Sequence, residues 1–202
     1  MINVLAHRAL FDGQDNSLKG VKHYLNLGIG IEIDLRYDEN GVYVSHDKHK
    51  NEELFENFCK LCSKSNITMA LHVKEIEAVN ETVKLIDKYA IKNYFLFNTD
   101  GNDLSKIINH GIIGEHLSQK SKITKHKNFW CDEVDKKWFN EKLISKLHKN
   151  HNLLYTMSLE GIRTCSKEEM VAEWKRLIKL GIDGICTNYP EELVRFSKGD
   201  LN

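Results

Sequence analysis

Short apolar runs alternate along this chain with longer stretches in which apolar positions recur every three or four residues. The short runs predict strands and the longer stretches predict helices, because side chains alternate across a strand but return to one face of a helix about every 3.6 residues. Asn3–Ala6 reads as a first strand. Asn16 and Ser17 then cap a helix carrying Leu18, Val21 and Leu25, stopped near Gly28. Residues 30–35 form a second strand, and Glu39-Asn40-Gly41 turns the chain into another extended piece, residues 42–45. Leu54, Phe55, Phe58 and Leu61 give a helical stripe, residues 68–73 a strand, and Ile76, Val79, Val83 and Ile86 a further helix. Tyr94–Phe97, residues 112–115, residues 129–131 and Leu153–Met157 follow as strands. Lys167–Leu180 is a helix with Met170, Trp174 and Leu177 on one face, and the last strand, Gly184–Thr187, leads into a short C-terminal helix.

Taking residues 42–45 as a hairpin arm outside the count leaves eight strands alternating with helices, the order of βα units in a parallel sheet. The expectation is an α/β fold, a compact (β/α)8 barrel of the TIM type occupying residues 1–202 as one domain. An open doubly wound sheet is the competing architecture, and periodicity does not separate the two. At 202 residues the barrel sits near the lower end of about 200 for this fold, so its later helices are expected to be short.

Composition narrows the function classes. Lys+Arg and Asp+Glu balance at 29 each, so no net field draws nucleic acid or an anionic lipid surface. No run approaches the ~20 apolar residues of a membrane span, and the start Met1-Ile2-Asn3-Val4-Leu5-Ala6-His7-Arg8 lacks the pattern of a signal peptide. A cytoplasmic protein is expected. The five cysteines (Cys59, Cys62, Cys131, Cys165 and Cys186) have no framework spacing. Cys59 and Cys62 form a CxxC with no second pair to complete a metal site, which favours ordinary helix cysteines. No apolar stripe announces a dimer interface, and the oligomeric state stays open.

The charged and imidazole groups carry the chemistry. His7 and Arg8 stand at the end of the first strand. Glu32 and Asp34 lie two apart on the second and so point to one side. His46 and Asp47 close the hairpin arm, and His72 and Lys74 lie two apart at the end of the next strand. Singly, each has a plain structural explanation: a surface Arg pair, two solvated edge carboxylates, a turn, a satisfied core histidine. Their joint placement at the same end of successive strands is what such explanations leave out. In a (β/α)8 barrel that end is the mouth where active sites lie. Two carboxylates at i and i+2 offer oxygen ligands to a hard divalent cation. Arg8 and Lys74 can grip phosphate oxygens, and His7 and His46 supply a general base and a general acid.

The run Ala6-His7-Arg8, Asp15-Asn16-Ser17, Glu32-Ile33-Asp34, Gly41 and Ser45-His46-Asp47 resembles the signature of the glycerophosphodiester phosphodiesterase family, which reads HRG, ENS, ExD, a DG turn and HD in that order. The ending Gly181-Ile182-Asp183-Gly184-Ile185-Cys186-Thr187-Asn188-Tyr189-Pro190 is similar to the family's closing GxDGIxTDxP. The likeness is dense over residues 4–47, moderate around 68–76, thin through the middle and clear again over 181–190. It implies a (β/α)8 barrel, catalytic histidines at His7 and His46, metal-binding carboxylates at Glu32 and Asp34, and phosphate contacts from Arg8 and Lys74.

The chain departs from that pattern in three places. Ala9 stands for the Gly after HR, Asn188 for the Asp near the end, and His72 for a Glu that is the third metal ligand. A short bacterial branch of the superfamily resembles this chain in its His-x-Lys form. His72 is then either a ligand, shifting metal preference toward transition metals, or a phosphate contact. The cofactor implied is one divalent ion, Mg2+ or Ca2+ first, with Mn2+ or Zn2+ admitted by His72. The implied activity is hydrolysis of a small glycerophosphodiester-like substrate to a phosphomonoester and an alcohol. Attack by water and attack by a neighbouring substrate hydroxyl through a cyclic phosphate both fit these residues. A non-catalytic barrel that binds a phosphorylated ligand is the alternative of a different class. Glu115, Asp132 and Glu133 are further acidic candidates, and Trp130 is either a platform for the alcohol portion or a rim aromatic packed under a loop.

Overall fold

The first strand, β1 (Asn3–Ala6), lies parallel between the last strand of the chain and the second, and this double pairing organises the architecture. The structure, a computed structural model, describes residues 2–48, 53–98, 104, 113–116, 127–134 and 136–199. In chain order the elements are β1, α1 (Leu18–Leu27), β2 (Gly30–Asp38), β3 (Gly41–Val44), β4 (Glu53–Leu54), α2 (Phe55–Cys62), β5 (Met69–Val73), α3 (Ala78–Lys88) and β6 (Tyr94–Phe97). Then follow β7 (Ile113–His116), β8 (Asn128–Trp130), α4 (Glu141–Lys149), β9 (Leu153–Met157), α5 (Leu159–Ile162), α6 (Lys167–Leu180), β10 (Gly184–Thr187) and α7 (Pro190–Lys198).

Parallel ladders connect β1, β10, β9, β8, β7, β6, β5 and β2 in that order, and the sheet curls until β2 meets β1 again. The far half of β2 leaves this parallel set and pairs antiparallel with β3, which pairs with β4, so the hairpin arm stands outside the eight as expected. The result is a mixed α/β domain around one curled sheet. The helices following β6 and β7 in the expected alternation fall outside the described residues, as does Ile112 of the expected strand 112–115.

Alternation along the strands sorts the side chains into two layers. Ile31, Ile33 and Leu35 of β2 join Met69, Leu71 and Val73 of β5 in the core beneath the helices. Residues one step out of phase (Leu5, Ala70, Phe95, Phe97, Trp130, Tyr155 and Cys186) fill a second, inner cluster. Glu32 is in register with Ala70, and Asp34 with His72, so the charged residues share the inner side with that cluster.

Helix ends follow the sequence signals. The Ser17 hydroxyl accepts from Gly20 N at the start of α1, and Gly28 closes it in the left-handed region. Ser166 and Glu169 form a reciprocal capping box at the start of α6, whose Met170, Trp174 and Leu177 are buried as the spacing implied. The expectation that the later helices are short fails at α6, which has 14 residues. Chain is saved elsewhere, in a three-residue β8 and a four-residue α5.

Helix α2 buries Phe55, Phe58, Cys59 and Cys62, while Leu54 precedes it and is exposed. The CxxC therefore lies on the core face. Burial pushes both thiols up to about 12, which leaves them as inert apolar side chains. No helix among the described residues is long and apolar enough to cross a membrane.

Candidate active site

Glu32 and Asp34 are 2% and 1% exposed, and two buried carboxylates on one strand need compensating charge or hydrogen bonds. Their neighbours supply both. Arg8 N donates to Glu32 Oε2 at 2.9 Å. Asn16 clasps Asp34 twice, its Nδ2 donating to Oδ2 at 3.0 Å while Asp34 N donates to Asn16 Oδ1 at 3.0 Å. The Lys74 ammonium lies 3.6 Å from Asp34 Oδ1, and Arg8 Nε lies 3.5 Å from Oδ2.

His72 completes the group. Its Nδ1 is 3.1 Å from Asp34 Oδ1 and 3.8 Å from Glu32 Oε1. The imidazole stacks on Phe97 with centroids 4.7 Å apart, and Phe97 stacks in turn on Trp130 at 4.1 Å. The ring thus packs against a wall of aromatic side chains.

One atom from each of Glu32, Asp34 and His72 lies within 4.8 Å of the others. A divalent ion bound at about 2.0–2.6 Å from its ligands needs donor atoms at such separations, so these residues fit one. Electrostatics agree. Burial pushes the Glu32 carboxyl well above its usual range, and the neighbouring Asp34 charge pushes the same way. For Asp34 burial acts upward too, but His72, Lys74 and Asn16 together outweigh it and hold the group ionised well below the usual range. The pair carries its first negative charge easily and its second reluctantly, which is the condition a cation relieves.

Arg8 belongs to a tight strap after β1. Arg8 and Ala9 both take left-handed backbone, with φ of 51° and 45°. Helix α1 can approach this strap only because residue 20 is Gly: a Cβ there would meet Ala9 O at 1.9 Å. Among the described residues the Arg8 Nε is a buried nitrogen without a hydrogen-bond partner, and it points at the carboxylate cluster.

The histidines of the sequence reading sit on either side. His7 Nδ1 lies 2.8 Å from Asn188 Oδ1, so the ring nitrogen donates and Nε2 is left as an acceptor. Burial lowers the imidazole below its usual value against the raising effect of the Asn188 hydrogen bond, and the Arg8 charge lowers it further. His46 Nδ1 lies 2.8 Å from Asp47 Oδ1. The Arg36 guanidinium donates from Nε at 3.0 Å and Nη2 at 2.6 Å to the His46 carbonyl, and its Nη1 donates to Glu75. Ser45 N donates to Asp34 O at 3.1 Å, which ties the His46 loop to the carboxylate strand.

Glu32, Asp34, His72, Arg8 and Lys74 are thus in direct contact, whereas His7 is joined to the group through the backbone at Arg8 and His46 through the Ser45 N–Asp34 O hydrogen bond. Asn16, Arg36 and Asn188 were not assigned these roles from sequence. The spacing of Asn16 pointed to a helix cap, which Ser17 provides instead. The other acidic candidates are engaged in structure. Asp132 accepts from Trp130 Nε1 and Met157 N, and Glu133 accepts from Trp138 N and Phe139 N and pairs with Arg176. Trp130 is 1% exposed and is a packed aromatic, not a platform. The side chain of Glu115 lies outside the described residues.

No protein-family model and no curated protein sequence matches the chain. Solved structures do. A proposed glycerophosphodiester phosphodiesterase from Galdieria sulphuraria superposes with a TM-score of 0.77 at 15% identity, covering 98% of each chain. A glycerophosphodiester phosphodiesterase from Parabacteroides distasonis gives 0.70 at 15% identity, again over 98% of each chain. A glycerophosphoryl diester phosphodiesterase from the same organism gives 0.74 at 12% identity, over 98% of this chain and 87% of that one. At such identities the likeness establishes a shared fold.

Proposed function

We propose that the chain is a metal-dependent phosphodiesterase of the glycerophosphodiester phosphodiesterase family, built on a complete (β/α)8 barrel and hydrolysing a small glycerophosphodiester to a phosphomonoester and an alcohol. The observation that carries this reading is the buried meeting of Glu32, Asp34 and His72 beneath two cations, Arg8 and Lys74. The solved structures of the same fold that are described as phosphodiesterases support it.

Glu32, Asp34 and His72 would hold one divalent ion, with Asn16 fixing the Asp34 carboxylate. A bound divalent ion supplies positive charge for a phosphate oxygen and for the negative charge that builds in the transition state. Arg8 and Lys74 bind the remaining phosphate oxygens, Arg8 by its fork and Lys74 as a point charge.

His7 acts as general base. With Nδ1–H donated to Asn188, Nε2 accepts the proton of the attacking hydroxyl or water as its oxygen bonds to phosphorus. Its lowered pKa keeps the ring neutral and ready near neutral pH. His46 acts as general acid, giving a proton from Nε2 to the alkoxide as the second P–O bond breaks, while Asp47 holds the other ring nitrogen. The test is 31P NMR of the protein with glycerophosphoethanolamine and glycerophosphocholine in the presence of Mg2+, Ca2+ or Mn2+. Growth of a phosphomonoester resonance is expected; unchanged diester with each metal would oppose the reading.

A further inference from the structure

Behind His7 runs a chain of hydrogen bonds that starts in the core and ends on the imidazole. The buried Trp174 indole donates from Nε1 to Ser158 Oγ at 2.7 Å. The Ser158 hydroxyl donates to Glu160 Oε2. The other oxygen of Glu160 accepts from consecutive residues leaving β10: Thr187 Oγ1 at 2.5 Å and Asn188 N at 3.0 Å. Thr187 Oγ1 also accepts from Tyr189 N at 3.1 Å, and Asn188 Oδ1 takes the proton of His7 Nδ1.

From this geometry we infer that Glu160 is the positioning residue of His7, acting through Thr187 and Asn188. A carboxylate only accepts hydrogen bonds, and Glu160 has three donors aimed at it from the ends of β9 and β10, Ser158, Thr187 and Asn188. Thr187 and Ser158 are both fully buried, so their hydroxyls have no water to turn to when Glu160 is lost. The β10 exit then shifts to find other partners, and Asn188 Oδ1 moves with it. Asn188 makes this support necessary. An amide can present either an oxygen or an NH2 group, and only the oxygen holds the His7 proton on Nδ1 and leaves Nε2 free.

The general-base role of His7 rests on the proposed phosphodiesterase reading; the positioning of its ring does not. A long-range 1H–15N spectrum of histidine-labelled protein reads the His7 tautomer without any substrate, the resonance being assigned by its absence in His7→Gln. The wild type is expected to show His7 protonated on Nδ1, and Glu160→Ala is expected to move the proton to Nε2 or mix the tautomers. Glu160→Gln, which keeps an acceptor oxygen, is expected to restore the wild-type pattern. Where Glu160→Ala does not fold, Thr187→Val removes one of the three donors with little change of shape and is expected to shift the His7 pattern the same way. In turnover, a displaced base lowers kcat by ~10-fold or more while KM stays within about twofold. A His7 tautomer unchanged in Glu160→Ala, or in Thr187→Val in its place, would overturn the inference. A shifted tautomer in a protein that hydrolyses no phosphodiester would uphold the positioning and remove the proposed function instead.

Discussion

Asp34 and His72 are register partners across the β2–β5 ladder, and the imidazole Nδ1 stands 3.1 Å from the carboxylate Oδ1. Adjacent parallel strands thus bring a nitrogen donor beside the two carboxylates of the proposed metal site. Imidazole suits Zn2+ better than Mg2+ or Ca2+, whose preferred ligands are oxygens. His72→Glu is therefore expected to move the ranking of activating metals toward Mg2+ and Ca2+. The check is the metal dependence of turnover, or of thermal unfolding, in both proteins. An unchanged ranking would remove His72 from the ligand set.

Metal binding at the proposed site would be pH-dependent through Glu32. Burial, with Asp34 beside it, raises the Glu32 pKa, so the group tends to keep a proton that a cation must displace. Affinity is then weak at low pH, strengthens as pH rises through the Glu32 pKa, and levels off above it. Calorimetry in two buffers of different ionisation enthalpy should count about one proton released per ion bound below that plateau. Release of none would contradict the assignment of Glu32 as the protonated partner.

Asn16 touches Asp34 through two hydrogen bonds and is itself buried. Asn16→Ala frees the carboxylate to rotate and leaves Asp34 N without its acceptor. Metal affinity is expected to fall ~10–100-fold, as for other groups that orient a ligand. A titration followed by thermal shift measures this. Wild-type affinity would mean that Lys74 and Arg8 alone suffice to hold Asp34.

In the proposed mechanism His7 would set the acid limb of the rate profile, because a base works only when unprotonated. Burial lowers its pKa, so activity should persist to lower pH than an exposed imidazole allows. Asn188→Asp puts a carboxylate against Nδ1, stabilises the imidazolium and raises that pKa. The acid limb of kcat/KM is expected to move to higher pH. A limb that stays in place would show that His7 is not the titrating base.

Much of this was legible in the sequence because it depends on local rules. Alternation along β2 put Glu32 and Asp34 on one side, and the cap at Ser17 and the glycine stop at Gly28 bounded α1. Helix α4 is weakly marked in the sequence, since only Leu143, Ile144 and Leu147 of its nine residues are apolar. The roles of Arg36, Asn188 and Glu160 depend on partners 10 to 181 residues away, and no spacing rule reports such contacts. Trp130 and Asp132 are ambiguous in sequence for the same reason: the stack of Trp130 on Phe97 and the hydrogen bond from Met157 N to Asp132 join distant parts of the chain.

The most direct measurement is hydrolysis of bis-p-nitrophenyl phosphate, with glycerophosphodiesters alongside, by chelator-stripped protein to which Mg2+, Ca2+, Mn2+ and Zn2+ are restored singly. Turnover should be absent without metal and return with at least one of them. It should be lost again in Glu32→Ala, and fall by about 100-fold or more in His7→Ala and His46→Ala. Turnover that survives metal removal, or that is untouched in both histidine variants, would contradict the assignment of this site as a metal-dependent phosphodiesterase centre.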